Sequence, residues 1–576
     1  MQRKAPSSTV AAQGMVRDLV RQFSDPLDFY RELIQNSIDA GSNRIDVRLE
    51  SVPAGKGRVL AAIQVSDDGE GMDERIIDDY LLVLFKSTKE GDLTKIGKFG
   101  IGFVSVFALE PKQVRLCTGK SGESWRIDFP SWRKYEKYRM SGLREGTSVE
   151  LTKELSTQEY ARLVSASREK IRYWCKHADT RIYFSAGGKD AVPALINEPF
   201  GLEGESLRWA EEGTELALAF SSEAEPFYGF YNRGLTLKEG KRAFVPGVAL
   251  KVKSRYLEHT LTRDNVIEDD NYRKILGVLA RLAKKELARK LSSELSAVAS
   301  EAAAAAAAGD AAALARLSEQ WALRLPYLKW LLSGFVARWK RSDWRIFPTV
   351  AGVALTIREV HRLIGNEGGR LYFDDQATPV SRELARNGTA VLASGPWLAE
   401  IQALNAKTET VRASSAFILP KPLDDREILP GLRSFLATLR WAEARTGAKY
   451  SGIQAADFAY PGSPIKERMF VTMRNPGALG SVSERPRPSL LGLRRERLHA
   501  LVNAEEPFVK ELALLHETRP GLAVYLCLKA MHLSDGAVPA EREEEYCNLA
   551  ARMEGRLLRA ALELDAASPA RPGAKA

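Results

Sequence analysis

Glu32, Asn36 and Asp39 recur at helical spacing inside YRELIQNSIDAG (residues 30 to 41), and Leu33, Ile34 and Ile38 take the opposite edge of the same helix. At 1.5 Å of rise per residue, Glu32 and Asn36 stand roughly 6 Å apart along the axis. A carboxylate one turn from an amide oxygen can aim a water molecule while its neighbour holds a metal ion. An ordinary amphipathic helix with a solvated polar edge shows the same pattern. The stretch therefore gains meaning only from segments that supply partners for it.

Three later segments do. NRIDVRLE alternates Ile45, Val47 and Leu49 with polar residues and reads as a strand; a second strand, VLAAIQV, runs into SDDGEGM. There Asp67 and Asp68 end the strand and Gly69 and Gly71 turn the chain. Glycines admit a ligand close to the backbone, and a strand-end aspartate can accept the exocyclic amine proton of a base, although acids with two glycines also make plain turns. FKSTKEGDLTKIGKFGIGFVSVFAL then sets Gly97, Gly100 and Gly102 before FVSVFAL, a run able to continue as a buried helix. A glycine-rich turn opening a helix offers free N–H groups and the positive end of a dipole to phosphate. It is neither a GxxxxGK[ST] loop nor set in the βαβ context of a dinucleotide fingerprint. Finally, GTSVELTKEL puts Thr147 at a strand start, its hydroxyl in reach of Asp67 and a base.

In order and spacing, ELIQN (32 to 36), DDGEGM (67 to 72), GKFGIGF (97 to 103) and GTSVEL (146 to 151) resemble the N, G1, G2 and G3 boxes of the GHKL ATPase superfamily, which includes gyrase, heat-shock chaperones, histidine kinases and MutL. RELIQNSIDA and IGKFGIGFVSVF most resemble its heat-shock protein 90 family, of the bacterial HtpG type. The resemblance implies ATP and Mg²⁺ as cofactors. It makes Glu32 the general base that activates water, Asn36 the ligand of Mg²⁺ bridging the phosphates, and Asp67 the reader of adenine with Thr147 beside it. Met72 would pack on the base, and Asp39 and Gly71 would belong to the pocket. The turn Gly97, Lys98, Phe99, Gly100, Ile101, Gly102 and Phe103 would cradle the phosphates. Lys86 and Ser87 fall in a lid, residues 84 to 98, that is shorter than the family's usual one, and Lys98 stands where the family has Gln. Phosphoryl transfer to water needs a positioned nucleophile and neutralised charge more than covalent chemistry, which suits this division of labour.

The rest of the chain follows the order the resemblance implies. The expected fold class is α+β: a Bergerat-type α/β sandwich over 1 to 185, an α/β middle domain over 186 to 424, and a mostly helical C-terminal dimerisation domain over 425 to 576. In the middle domain, LTRDNV resembles the family's catalytic loop, which would make Arg263 the residue reaching the γ-phosphate; an Arg-Asp pair in a loop is otherwise a surface ion pair. One long helix, YRKILGVLARLAKKELARKLSSEL, should follow, and then the alanine-rich stretch around 302 to 308 as a solvated helix or spacer. GGRLYFDD, SRELARNG and GTAVLAS read as strand, helix, strand. Near the end, Asn503 and Pro507 precede a helix as in the HtpG C-terminal segment. Leu526, Leu528, Met531 and Leu533 fit a domain core or a two-fold interface. Tyr256, Leu257 and WALRLPYLKWLLSGFVARWK are candidate client contacts, or core.

Composition narrows the function classes. A chain of 576 residues, 45% hydrophobic and 27% charged, is that of a globular protein of roughly three or four domains. No run nears the roughly 20 apolar residues of a membrane span, and no secretory h-region follows the N-terminus. Four scattered cysteines suit a cytoplasmic location, and six histidines without HxxxH spacing argue against a metal held by protein ligands alone. The net charge of +10 is spread among acids, with no aromatic-basic stripe, so nucleic acid is not the expected partner. The reading is an ATP-dependent chaperone of heat-shock protein 90 type, a homodimeric clamp acting on unfolded client proteins. Its alternative is a MutL- or MORC-like GHKL ATPase acting on nucleic acid or in a defence or signalling assembly. A histidine kinase would need a dimerisation helix with a phosphorylatable His before the ATPase domain.

Overall fold

The computed structural model describes residues 25–82, 102–142, 144–188, 190–258, 265–333, 341–404, 406–446, 449–482, 484, 496–533 and 540–566. The chain divides into two compact units, residues 1–288 and 289–576.

The first unit opens with helix α1 (Phe29–Asp39) and then builds an eight-stranded sheet from β1 (Arg44–Gly55), β2 (Arg58–Asp67), β3 (Gln113–Lys120), β4 (Glu123–Ser131), β5 (Lys134–Arg139), β6 (Gly146–Ser156), β7 (Arg181–Ala186) and β8 (Ala194–Leu195), in the order β5-β4-β3-β6-β2-β1-β7-β8. Only the β1/β7 pair is parallel. The alternation in β1 and β2 sorts the faces: Ile45, Val47, Leu49, Ala61 and Ile63 are wholly buried, while Arg44, Asp46 and Arg48 turn outward. Onto the apolar face pack α1, through Phe29, Tyr30, Leu33 and Ile34, and α2 (Thr157–Cys175), started by a capping box between Ser156 and Glu159. Tyr30 donates to Ser167 Oγ across these helices at 2.9 Å. The apolar stripe thus fixes which edge of α1 is left for chemistry.

FVSVFAL is buried, as expected, but it is one helical turn over 102–104 followed by a 3₁₀ segment, Ser105–Leu109, ended by Glu110 at φ 53. The Ser105 hydroxyl donates to the Gly102 carbonyl three residues back, and that local bond favours the tighter winding.

A second sheet in this unit consists of β9 (Leu207–Glu211), β10 (Thr214–Phe220), β11 (Phe227–Asn232), β12 (Leu235–Lys241) and β13 (Val248–Ser254), ordered β12-β11-β13-β10-β9, and is followed by α3 (Asp270–Lys284). The single long helix expected here breaks at Lys285 and resumes as Glu286–Ala308.

His177 lies between the two sheets, edge-on to Phe200 and Tyr231, with Nε2 3.0 Å from Lys251 Nζ and Nδ1 3.3 Å from the Glu198 carbonyl. Burial first, and the Lys251 charge second, push its pKa down to about 4. The ring is neutral in the fold but charges near 6.5 when unfolded, so the unfolded chain binds more protons and stability falls as pH drops from about 6.5 to about 4. Denaturant titrations across that window should show a loss on the order of 2–3 kcal/mol, flattened in His177→Gln. An equal slope in both proteins would place the acid sensitivity elsewhere.

The second unit corrects one expectation and narrows another. The alanine-rich helix is packed rather than solvated: Ala299, Ala302 and Ala303 are fully buried, and their small side chains let a neighbour approach until the Ala377 N–H reaches the Ala306 carbonyl at 3.2 Å. Of the Trp-rich stretch, residues 334–340 lie outside the described residues; in the rest, Trp321, Tyr327, Leu328, Leu331 and Leu332 are buried and Trp321 Nε1 donates to the Ile346 carbonyl. In the first unit Leu257 is likewise buried, leaving Tyr256 at the surface, 40% exposed. The strand-helix-strand reading matches Arg370–Asp374, Pro379–Arg386 and Leu392–Ala393, whose strands pair in parallel. Beyond residue 424 lie the helices Pro430–Arg445, Pro507–Thr518, Pro520–Leu533 and Ala540–Ala566. A four-stranded sheet of Lys421–Pro422, Gly452–Asp457, His499–Asn503 and Phe470–Met473 accompanies them, a feature the helical reading omitted. Leu528 and Met531 are core, and Leu533 is exposed. Among the described residues no helix is long and apolar enough to cross a membrane.

Candidate active site

Between α1 and the ends of β2, β3 and β6 lies a cavity of about 320 Å³, whose wall includes Asn36 and Asp39 from α1, Asp67, Gly71, Met72, Phe103, Lys120 and Thr147. Asp67 is its most heavily engaged polar group. Its Oδ2 accepts from Ser37 Oγ at 2.8 Å, and its Oδ1 accepts from the backbone N–H of Gly69 at 3.0 Å and of Thr147 at 3.1 Å. Burial raises the pKa of this carboxyl above the ordinary aspartate value, against the pull of those three donors. The Thr147 hydroxyl does not turn to Asp67 as expected. Cross-strand register sets it opposite Thr118, 3.0 Å away, and Thr118 Oγ1 in turn accepts from the Met72 N–H at 2.9 Å. Backbone pairing of β3, β6 and β2 therefore carries Thr118, Thr147 and Asp67 as one rigid row.

Gly71 makes the close turn beside this row at φ 66, and a β-carbon there would collide with the Gly119 carbonyl. Gly71→Ala should lower stability by about 1–3 kcal/mol, read as a fall in the thermal midpoint. An unchanged midpoint would mean that the turn relaxes freely.

Glu32 does not line the cavity. It is 5% exposed and stands against the start of the 102–104 turn, so close that a β-carbon on Gly102 would collide with its Oε2. The structure thus brings Glu32, Asn36, Asp39, Asp67, Gly71, Met72, Gly102, Phe103 and Thr147 to one region. Lys86, Ser87, Gly97, Lys98, Phe99, Gly100, Ile101 and Arg263 lie outside the described residues.

Sequence reasoning missed Ser37 and Thr118, and also the Lys120–Glu70 ion pair on the cavity wall. Ser37 was visible in principle, one residue from Asn36 on the same helix. Thr118 has no motif around it and is found only through strand register.

Residues 30–160 match the family described as histidine kinase-, DNA gyrase B-, and HSP90-like ATPase. That segment is of the GHKL ATPase superfamily. Among curated proteins, the chain is similar to the chaperone protein HtpG of Rhodospirillum rubrum, 24% identical over 208 residues, covering 32% of this chain and 31% of that protein. It is also similar to the mismatch repair endonuclease PMS2 of Mus musculus, 31% identical over 124 residues (21% of this chain, 14% of the relative). A third relative is the DNA mismatch repair protein MutL of Persephonella marina, 34% identical over 122 residues (18% of this chain, 22% of the relative). The chain thus spans less than a third of the length of each. Two of the three are mismatch repair proteins, so the expectation of no nucleic-acid partner finds no support among them.

Proposed function

We propose that this chain is an ATP-driven chaperone of heat-shock protein 90 type, a homodimer joined through its C-terminal domain that closes on unfolded clients in the cytoplasm. The observation that carries the nucleotide reading is Asp67, a half-buried carboxylate held by three donors on the wall of the cavity that also takes in Asn36 and Asp39. That carboxylate can accept the amine protons of adenine, and Met72 beside it offers an apolar surface to the ring. An acceptor for the base amine, an apolar side chain for its ring and an amide for the metal thus face or border one cavity, so the residues present fit the nucleotide. Asn36 would hold Mg²⁺, which supplies neutralisation of phosphate charge. Glu32 takes the proton of the attacking water as the oxygen bonds to the γ-phosphorus and the bond to the bridging oxygen breaks. Lys86, Ser87 and the turn from Gly97 to Phe103 would cover and cradle the phosphates, and Arg263 would reach them from the middle domain.

Support for the chaperone over its relatives comes from extent. The similarity to HtpG runs over 208 residues, beyond the 30–160 segment, whereas the MutL and PMS2 alignments, at 122 and 124 residues, are no longer than that segment. The organisation proposed is an ATPase domain to residue 185, a middle domain to 424 and a dimerising domain after it. The second reading, a MutL-like ATPase on nucleic acid, is favoured by the higher identity of those shorter alignments and by the net charge of +10. Small-angle scattering with and without a non-hydrolysable ATP analogue tests the clamp: a dimer that compacts with nucleotide is the expected result, and a monomer indifferent to it contradicts the proposal. DNA-stimulated turnover without suppression of client aggregation would select the second reading.

A further inference from the structure

The tight turn between β11 and β12 carries Arg233 and Gly234 at φ 47 and 85, the pair of left-handed positions that a two-residue hairpin requires. It is seated against the segment between α2 and β7, since a β-carbon on Gly234 would collide with the His177 carbonyl. From this turn two contacts reach α1. Arg233 Nη1 stands 3.2 Å from Asp39 Oδ1, and the Thr236 carbonyl accepts from Arg31 Nη2 at 3.2 Å. Arg31 is buried, with its guanidinium carbon 4.1 Å from the centre of the Trp174 ring, and Thr236 is itself fixed by its hydroxyl donating to the Tyr173 carbonyl at 2.7 Å. Residues 31 and 39 lie about 12 Å apart along a helix. The turn therefore grips α1 at both ends, and Glu32 and Asn36 lie between the grips.

We propose that this turn is the positioning element of the nucleotide helix, and that Arg233 couples the occupancy of the cavity to the second sheet. The proposal rests on the ATP reading above. Asp39 is on the cavity wall, so its charge lies beside the space an anionic polyphosphate would enter. Arg233 neutralises that carboxylate from outside the cavity and spares the ligand a like-charge neighbour. A ligand that changes the environment of Asp39 changes the hold on Arg233, and by linkage any pull on the turn changes nucleotide affinity by the same factor. Arg233 is a positioning residue: it acts through Asp39 and touches no reacting atom.

The test titrates Mg·ADPNP into the full-length chain by calorimetry and follows hydrogen exchange at residues 232–236. The Asp39–Arg233 pair is half-exposed, so Arg233→Ala should weaken binding by about fivefold, Arg233→Lys should recover part of that loss, and Asp39→Asn combined with Arg233→Ala should cost less than the two losses multiplied. Nucleotide should alter exchange at the turn in the wild-type protein and leave it unaltered in Arg233→Ala. A merely structural contact would lower the thermal midpoint without touching that response. If the wild-type protein binds Mg·ADPNP while Arg233→Ala binds it equally and the turn ignores nucleotide, the coupling is overturned and the ATP reading stands. If the wild-type protein binds no nucleotide, both fall.

Discussion

Glu32→Ala is expected to bind Mg·ATP nearly as the wild-type chain does, while turnover falls by on the order of 10²- to 10⁴-fold. Two observations set that split. Glu32 is not on the wall of the cavity that takes in Asn36, Asp39 and Asp67, and its carboxylate stands against Gly102, at the start of the 102–104 turn. A carboxylate so placed can position a water and take its proton without contacting base or sugar. Glu32→Gln keeps the volume beside Gly102 and removes only the basicity, so it should show the same loss. Single-turnover hydrolysis together with equilibrium binding checks the split. Wild-type turnover in either variant removes Glu32 from the mechanism, and lost binding in both would make it a structural residue.

Asp67→Asn should show the converse, a loss of nucleotide affinity of about 10²-fold. The amide is the same size, and its oxygen can keep the Gly69 and Thr147 N–H groups, but an NH₂ then replaces the Oδ2 that now accepts from Ser37. The Ser37 hydroxyl can turn its proton to the Leu33 carbonyl, 3.0 Å away, and accept from that NH₂, but at the adenine amine a donor then faces a donor. Unfolding is not the cause to expect. Burial raises the Asp67 pKa, so the folded chain holds this proton more tightly than the unfolded one and ionisation costs stability as pH rises through the raised value. Replacing the carboxyl with a neutral amide removes that cost, and the thermal midpoint without nucleotide should hold or rise at neutral pH. Tight nucleotide binding by Asp67→Asn would contradict the adenine assignment.

Local patterns made the first domain legible because they are set by rules that act over a few residues. The 3.6-residue recurrence of Phe29, Leu33 and Ile34 decides which edge of α1 is free, and the two-residue recurrence of Ile45, Val47 and Leu49 decides the sheet's core face. Long-range register is not written locally. The Thr147 hydroxyl bonds to Thr118 because β3 and β6 pair as they do, and Arg31 and Asp39 meet the β11–β12 turn some 200 residues later. Amino-acid type also misled where its cause is ambiguous. Alanine favours a helix whether solvated or packed, so 302–308 gave the helix but not its burial, and an aromatic run serves core or contact surface alike, the buried Trp321 and Tyr327 here being core. The C-terminal four-stranded sheet escaped because its strands are two to six residues long, too short for periodicity to separate from loop.

The most direct measurement is calorimetric titration of Mg·ATP into the full-length chain, run beside Asp67→Asn. One nucleotide bound per chain in the wild-type protein, with the heat largely gone in the variant, is the expected result. No heat in the wild-type protein, or equal binding by both, would contradict a nucleotide site built on α1 and Asp67.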